Sequence, residues 1–128
     1  YGDCLNILDG LSVLDNCESI DCILHKGKEG EVYNVAGNNE KTNITITKLL
    51  LKLLNKDENS IDYVKDRPGH DRRYALDSNK LRNLGWEPRF KFNEAIEKTV
   101  DWYTRNKEWW KKVKNKSFYQ YYKKQYKE

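Results

Sequence analysis

The residues best suited to chemistry lie in one stretch, D-R-P-G-H-D-R-R-Y, at positions 66–74. Its Pro-Gly pair favours a tight turn, and three guanidinium groups and one imidazole surround that turn. Guanidinium groups bind phosphate oxygens through forked, charge-assisted hydrogen bonds, so the stretch predicts a site for a phosphate or diphosphate. The alternative is a solvated loop in which Asp66 and Asp71 pair with the arginines.

No other motif indicates catalysis, and we assign no catalytic, cofactor-binding or metal-binding residue. The seven glycines form neither G-x-G-x-x-G nor a P-loop, and G-x-S-x-G and H-E-x-x-H are absent. The three cysteines are an odd number without C-x-x-C spacing, which argues against a disulfide framework or a zinc site and favours a reducing, cytoplasmic location. We interpret Cys17 as a small buried residue on an apolar helix face.

The 128 residues allow one modest domain. The net charge of +4 is unevenly distributed, because residues 107–128 hold eight Lys and two Glu, and the rest of the chain is slightly acidic. A basic surface along the whole chain is therefore excluded. No apolar run approaches the roughly 20 residues that span a bilayer, so no membrane partner is expected. The sequence contains no methionine, which suggests a fragment or a processed piece.

Apolar spacing predicts several helices joined by polar turns. Ser12 and Asp15 have the spacing of a capping box before the first helix. Thr42 or Asn43 caps the second, whose apolar residues recur through positions 46–54. Ser78 caps a short third helix, a fourth begins near position 93, and helical spacing continues over 109–126.

Strand propensity is highest at residues 31–35 and 61–64, and residues 73–76 form a third extended piece. Together these elements predict an α/β fold that is rich in helix and has a few short strands. The apolar face over residues 46–54 is expected to be exposed in the isolated chain, which would favour oligomers or aggregates.

Three segments resemble dTDP-glucose 4,6-dehydratases: Y-N-V-A-G-N-N-E-K-T-N at 33–43, D-R-P-G-H-D-R-R-Y-A at 66–75 and L-G-W-E-P at 84–88. The resemblance runs from residue 1 to about residue 112. The string at 66–75 favours this family over related sugar-nucleotide epimerases and decarboxylases, whereas L-G-W-x-P is shared among extended short-chain dehydrogenases.

The resemblance implies that this chain is only the C-terminal part of such an enzyme. The family carries an N-terminal Rossmann half with NAD and the catalytic residues, followed by a smaller sugar-nucleotide-binding half. These enzymes oxidise the C4 hydroxyl of the hexose, eliminate water across C5 and C6, and return the hydride to C6. Residues 1–106 are thus interpreted as the sugar-nucleotide-binding portion and residues 107–128 as a basic Tyr/Lys-rich helical tail. NAD is the cofactor of the intact family, and none is expected to bind this chain alone.

Family positions that contact the nucleotide diphosphate are occupied here by five residues: Tyr1, Asn43, Arg67, His70 and Tyr74. The family's glycine, arginine, tryptophan, tyrosine, glutamate and histidine at six nearby positions are replaced by Cys4, Leu8, Gly10, Ser12, Leu14 and Asn16. The arginine that Leu8 replaces pairs with the diphosphate in the family.

Two functions remain open. The chain is either a partial dehydratase that binds a dTDP-sugar and is inactive alone, with a separate Rossmann half or a second copy as candidate partners, or a non-catalytic remnant whose aromatic, basic tail contacts nucleic acid or protein. Nucleic acid is the less favoured partner, because a helix packed on its own domain explains the tail equally well.

Overall fold

A small mixed sheet organises the chain. The computed structural model describes residues 1–114 and 116–126, and its sheet contains β1 (Ile7–Asp9), β2 (Glu40–Thr42) and β3 (Arg73–Tyr74). The strand order is β2-β1-β3. β1 pairs with β2 in antiparallel fashion and with β3 in parallel, so the N-terminal segment lies between the second strand and the end of the charged stretch.

The strand register assigns side chains to the two faces of the sheet. Leu8 lies opposite Lys41 on one side and Tyr74 on the other, so these three side chains share a face. Arg73 and Glu40 lie on the opposite face and form a forked ion pair, with distances of 2.7 Å and 2.6 Å. This ion pair links the two outer strands across β1.

The described part of the chain contains six α-helices. The first predicted helix and the second are confirmed, since Ser12 Oγ accepts from Leu14 N and Thr42 Oγ1 accepts from Thr45 N, both at 3.3 Å. The third helix was expected to be capped by Ser78, but the Asp77 carboxylate caps it instead. This carboxylate accepts the backbone N–H of Asn79, the first residue of the helix, at 2.8 Å. The helices are α1 (Val13–Lys26), α2 (Asn43–Leu53), α3 (Asn79–Arg82), α4 (Phe92–Arg105), α5 (Lys107–Val113) and α6 (Lys116–Tyr126), with a 3-10 turn at Glu58–Ser60.

Two strand predictions are wrong and one is too long. Residues 31–35 and 61–64 pair with no strand in the described structure, and of residues 73–76 only Arg73 and Tyr74 do. High β propensity becomes a strand only where a sheet edge accepts it. Lys80 binds the 31–35 segment instead, through the Glu31 carboxylate at 2.8 Å and the Val32 carbonyl at 2.7 Å.

Helix α1 buries polar side chains and exposes apolar ones. Asp15 and Ser19 are fully buried, and Asp15 accepts the backbone N–H groups of Arg89 at 3.0 Å and Phe90 at 3.4 Å. Asp15 therefore connects α1 to residues 89 and 90. The predicted capping box is wrong for Asp15, although Ser12 does cap the helix. The interpretation of Cys17 as buried is also wrong, because its side chain lies on the exposed side.

The apolar core is small. The buried apolar residues of the described chain are Ala36, Leu81 and Trp86. Helix α2 packs against α4, which half-buries most apolar side chains of α2 and leaves Leu54 at 49% exposure. The strongly exposed apolar face is therefore on α1, not on α2 as expected. None of the described helices combines the length and apolar character needed to cross a membrane.

Candidate functional site

The charged loop, residues 66–74, holds His70 in one orientation. His70 Nδ1 lies 2.7 Å from Asp66 Oδ1, and the His70 side chain is only 9% exposed. The same carboxylate oxygen accepts the backbone N–H of Arg67 at 2.9 Å. The ring of Tyr1 contacts the imidazole edge to face, with centroids 6.0 Å apart. Two of the predicted ligand residues, Tyr1 and His70, are thus in direct contact.

Arg67 and Tyr74 form a second pair. Arg67 Nη2 donates to the Tyr74 hydroxyl at 3.3 Å. A hydrogen bond to Asp71 raises the pKa of Tyr74 and outweighs the opposing effect of Arg67. Because the phenol stays neutral at ordinary pH, it forms no ion pair with Arg67, and the Asp71 carboxylate contacts the same hydroxyl.

The other two arginines of the loop are occupied by carboxylates from other segments. Arg72 forms a forked pair with Asp3 at 2.8 Å and 2.9 Å, and this hydrogen bond lowers the pKa of Asp3 to about 2. Arg73 binds Glu40 in the same manner and lowers the pKa of that carboxyl. The alternative of a loop that neutralises its own arginines is therefore not what the structure shows. Among the described residues, Arg67 forms no ion pair and is the loop arginine free to bind an anion.

The N-terminal segment connects this loop to the start of α2. The backbone N–H of Asn43 donates to the carbonyl of Asn6 at 2.9 Å, and Asn6 Nδ2 donates to the carbonyl of Asp71 at 2.9 Å. Asn43 thus lies on the far side of this segment from the loop. No hydrogen bond or ring contact of the described residues joins Asn43 to the other four predicted ligand residues.

A cavity of about 430 Å³ opens beside β3. Asp71, Arg73 and Tyr74 supply its polar wall, and Val35 and Leu76 contribute to the apolar wall. Of the five predicted ligand residues only Tyr74 lines it. The apolar wall was missed because residues 31–35 and 73–76 were interpreted as strands rather than as the sides of a cavity. Two larger cavities, of about 600 Å³ and 570 Å³, lie along α4 and α5, away from the charged loop.

The segment around position 10 is shaped by close packing. A Cβ atom at Gly10 would lie 2.9 Å from Cε2 of Phe92, so this ring occupies the room that a side chain at position 10 would need. The preceding residue, Asp9, accepts the N–H groups of Asn38 at 3.1 Å and Asn39 at 2.7 Å. Asp9 therefore organises a turn.

Comparison with known proteins gives a consistent family match. A family model described as GDP-mannose 4,6 dehydratase matches residues 1–99. A dTDP-glucose 4,6-dehydratase from Xanthomonas campestris pv. campestris (strain ATCC 33913) is 47% identical over 119 residues, which cover 85% of this chain and 34% of that protein. The chain spans about a third of the length of the curated relatives that it matches.

Solved structures agree with the sequence match. A Bacillus anthracis dTDP-glucose 4,6-dehydratase in complex with NAD superposes with a TM-score of 0.82 at 50% identity, covering 88% of this chain and 36% of that one. A Streptomyces venezuelae dTDP-glucose 4,6-dehydratase, also solved with NAD bound, gives 0.81 at 40% identity over 85% of this chain and 34% of that one. The likeness is to the C-terminal part of these proteins and confirms the predicted fold class.

The described residues do not fit a dinucleotide or a metal ion. A Rossmann cradle needs a glycine-rich turn between a strand and a helix of a parallel sheet, whereas the described sheet has three short strands and one parallel pair. Within the described ranges no group of three or more His, Cys, Asp or Glu side chains could hold a metal. We therefore derive no chemical step through NAD on this chain.

Proposed function

The chain belongs to the GDP-mannose 4,6 dehydratase family, and we propose that it forms the sugar-nucleotide-binding part of a dTDP-glucose 4,6-dehydratase. Relatives that are 40–47% identical to this chain support a role in nucleotide-sugar metabolism, since they are named dTDP-glucose 4,6-dehydratase. The observation that carries the proposal is the Arg67 guanidinium, which donates to the Tyr74 hydroxyl and has no ion pair among the described residues.

Arg67 is the residue we assign to the diphosphate. A guanidinium binds phosphate oxygens in a forked geometry, and Arg67 is committed only to a phenol, whereas Arg72 and Arg73 are committed to carboxylates. Tyr1, from the N-terminal segment, contacts His70 of the charged loop, and these two residues form the second part of the proposed site. Asn43 would contribute polar contacts from the start of α2.

Leu8 predicts weaker binding than in the family. Its position lies in β1, directly beside Tyr74. A hydrogen bond to a charged group is worth about 1.5 to 3 kcal/mol, so replacement of the family's arginine by leucine should weaken diphosphate binding about tenfold or more. Leu8→Arg should recover that affinity, and Leu8→Gln provides a control that is polar without charge.

The exposed face of α1 is the surface we assign to the rest of the enzyme. Val13, Ile20 and Leu24 are 71%, 57% and 78% exposed and repeat at helical spacing with Cys17. About two thirds of each relative's length lies outside the match. A nucleotide-binding domain of that size, on the same or another polypeptide, would cover the apolar stripe of Val13, Cys17, Ile20 and Leu24.

The tail gives no support to the nucleic-acid alternative. Trp110 Nε1 donates to the carbonyl of Tyr103 at 2.9 Å, and Trp109 contacts Trp102 edge to face at 5.1 Å. These aromatic side chains of α5 are engaged with α4 of the same chain. No second function is proposed.

Isothermal titration calorimetry with dTDP, dTDP-glucose and GDP-mannose tests the ligand. We expect the two thymidine compounds to bind and Arg67→Gln to weaken both about tenfold or more. Arg105→Gln is the matched control, because Arg105 is an exposed arginine paired with Asp101 on α4. Preferential binding of GDP-mannose would reassign the nucleotide. No binding of any of the three, with the missing part of a relative also present, would refute the proposal.

Analytical ultracentrifugation tests the assigned surface. The part of the Bacillus anthracis relative outside the match, supplied as a separate polypeptide, should form a complex with this chain that Ile20→Glu abolishes. Glu29→Lys, at an exposed position after α1, should leave the complex intact. Self-association of the chain that Ile20→Glu removes, without any such complex, would assign the stripe to a second copy.

A further inference from the structure

The contact between Asp66 and His70 is closer and less exposed than an ordinary surface ion pair. The two atoms lie 2.7 Å apart, and the imidazole is 9% exposed while the carboxylate is 42% exposed. Exposed pairs tend to be mobile and weak, whereas this imidazole is enclosed by Tyr1 and the loop. A carboxylate at this distance favours a proton on the ring nitrogen that faces it.

Asp66 is itself held from two directions. Its carboxylate accepts the N–H of Arg67, and the backbone at Gly2 passes so close that an added Cβ would lie 2.8 Å from Asp66 Oδ2. Gly2 has a φ of +52° and donates its N–H to the carbonyl of Val64 at 3.0 Å. This clamp joins the chain start to the loop and limits the rotation of Asp66.

We propose that Asp66 is a positioning residue, which keeps the proton of His70 on Nδ1 and turns Nε2 toward an anionic oxygen of the bound ligand. The inference rests on the proposed function for the identity of that ligand. In the described residues no hydrogen bond of Nε2 is found, so this nitrogen is available. Arg67, which follows Asp66 in the sequence, supplies the fixed positive charge of the same site.

This arrangement makes ligand binding dependent on protons. A neutral imidazole with its proton on Nδ1 has only an acceptor at Nε2, whereas the imidazolium donates from both nitrogens. An anionic oxygen at Nε2 therefore selects the protonated ring, and the Asp66 carboxylate stabilises that cation. Affinity for a diphosphate should therefore be higher when His70 is protonated, that is, toward low pH.

The charges around His70 agree with that direction. Asp66 faces the ring from its own loop, and Tyr1 faces it from the N-terminal segment with a phenol. The hydrogen bond with His70 lowers the pKa of Asp66, so the carboxylate is ionised at neutral pH. In the sequence, Arg67 lies three residues before His70 and Asp71 directly after it, and their charges are opposite.

Nitrogen-15 NMR of the two histidines tests the position of the proton. Only His25 and His70 contribute, and His25 is an internal reference because its side chain is 67% exposed on α1. Neutral His70 should carry its proton on Nδ1. In Asp66→Asn, which keeps an acceptor and removes the charge, the neutral ring of His70 should lose part of its preference for a proton on Nδ1, and the spectrum of His25 should not change. Asp62→Asn, an exposed carboxylate in the preceding segment, is the matched control.

Calorimetry with dTDP from pH 5.5 to 8.5 tests the contact with the ligand. The wild type and Asp62→Asn should bind more tightly toward low pH. Asp66→Asn should bind about tenfold more weakly at pH 6, equivalent to about 1.4 kcal/mol, and His70→Gln should leave only the pH dependence that comes from the terminal phosphate of dTDP, whose pKa is about 6. A proton on Nε2 of neutral His70, or an unchanged distribution of the proton between the two nitrogens in Asp66→Asn, overturns the proposal. An NMR shift without any change in affinity also overturns it. If the wild type binds no dTDP, the proposed function fails, and the NMR result alone decides whether Asp66 positions the proton.

Discussion

The carboxylate of Asp15 accepts the backbone N–H of Arg89 at 3.0 Å, across 74 residues of sequence. Asp15 is completely buried near the start of α1, and it accepts the N–H of Phe90 as well. A buried backbone N–H without an acceptor is costly, so this one side chain provides acceptors for two groups that would otherwise lack them. The position of α1 on the domain depends on this contact.

Asp15→Asn should lower the free energy of unfolding by about 1.5 to 3 kcal/mol, because one amide oxygen replaces two charged acceptors and the amide N–H₂ faces a backbone donor. Urea denaturation followed by circular dichroism measures the change. Asp21→Asn, on the exposed side of the same helix, should have a much smaller effect. Equal losses from the two variants would show that the Asp15 contact does not hold α1.

Leu81→Ala should be the most damaging truncation of an aliphatic side chain. Leu81 is fully buried, and removal of a buried leucine side chain costs about 2 to 5 kcal/mol. Leu24→Ala makes the same chemical change at a position that is 78% exposed and should stay within about 0.5 kcal/mol. Thermal and urea unfolding of the two variants compares them directly. A loss at Leu24 as large as that at Leu81 would contradict the small core described above.

Acid should destabilise the fold in a defined range of pH. The pKa of Asp3 is about 2 in the folded chain against an ordinary 3.8, because of Arg72, and Arg73 lowers the pKa of Glu40. A carboxyl whose pKa is lower in the folded state stabilises that state above its unfolded pKa and loses the contribution as the pH falls through its folded pKa. The melting temperature should therefore fall between about pH 4.5 and pH 2.

Arg72→Gln removes one cause of this dependence. The melting temperature of this variant should be lower than that of the wild type at neutral pH, and the difference should shrink toward pH 2, where Asp3 becomes protonated. Lys65→Gln is the control, because no ion pair of Lys65 is found among the described residues. A difference that stays constant from pH 7 to pH 2 would show that Arg72 contributes through packing and not through its charge.

Gly10→Trp, which restores the residue type of the family at this position, should destabilise the fold. Phe92 already occupies the space next to Gly10, and an overfilled site typically costs about 1 to 3 kcal/mol. In a Phe92→Ala background the same substitution should cost less, because the ring has been removed. A double-mutant cycle of unfolding free energies measures this coupling, and additive effects would show that the two positions do not compete for space.

The sequence predicts the helices well because their signals are local. Ser12 and Thr42 mark helix starts that the structure reproduces. The strands were harder to predict, since β1 and β2 are three residues each and gain their conformation from each other. Residues 31–35 have the composition of a strand but are bound by Lys80 and remain outside the sheet. Asp15 was misinterpreted for a similar reason, because its partners lie far away in the sequence.

The sequence predicted which charged residues form the candidate site, but not which of them pair with each other or with other segments. The D-R-P-G-H-D-R-R-Y string correctly marked where charged groups collect. It could not show that Asp3 and Glu40 occupy two of the arginines, because those carboxylates come from segments 69 and 33 residues away. Only the folded arrangement singles out Arg67.

The burial of Asp15 on one side of α1 also determines what an incoming surface meets on the other side. Because hydrogen bonds already fix the helix, its exposed aliphatic side chains are presented on a preorganised support. Association on such a support does not have to order the backbone, so less of the gross interaction free energy is lost to conformational entropy. A polar anchor that contacts no partner would thus raise the affinity of the surface proposed on α1.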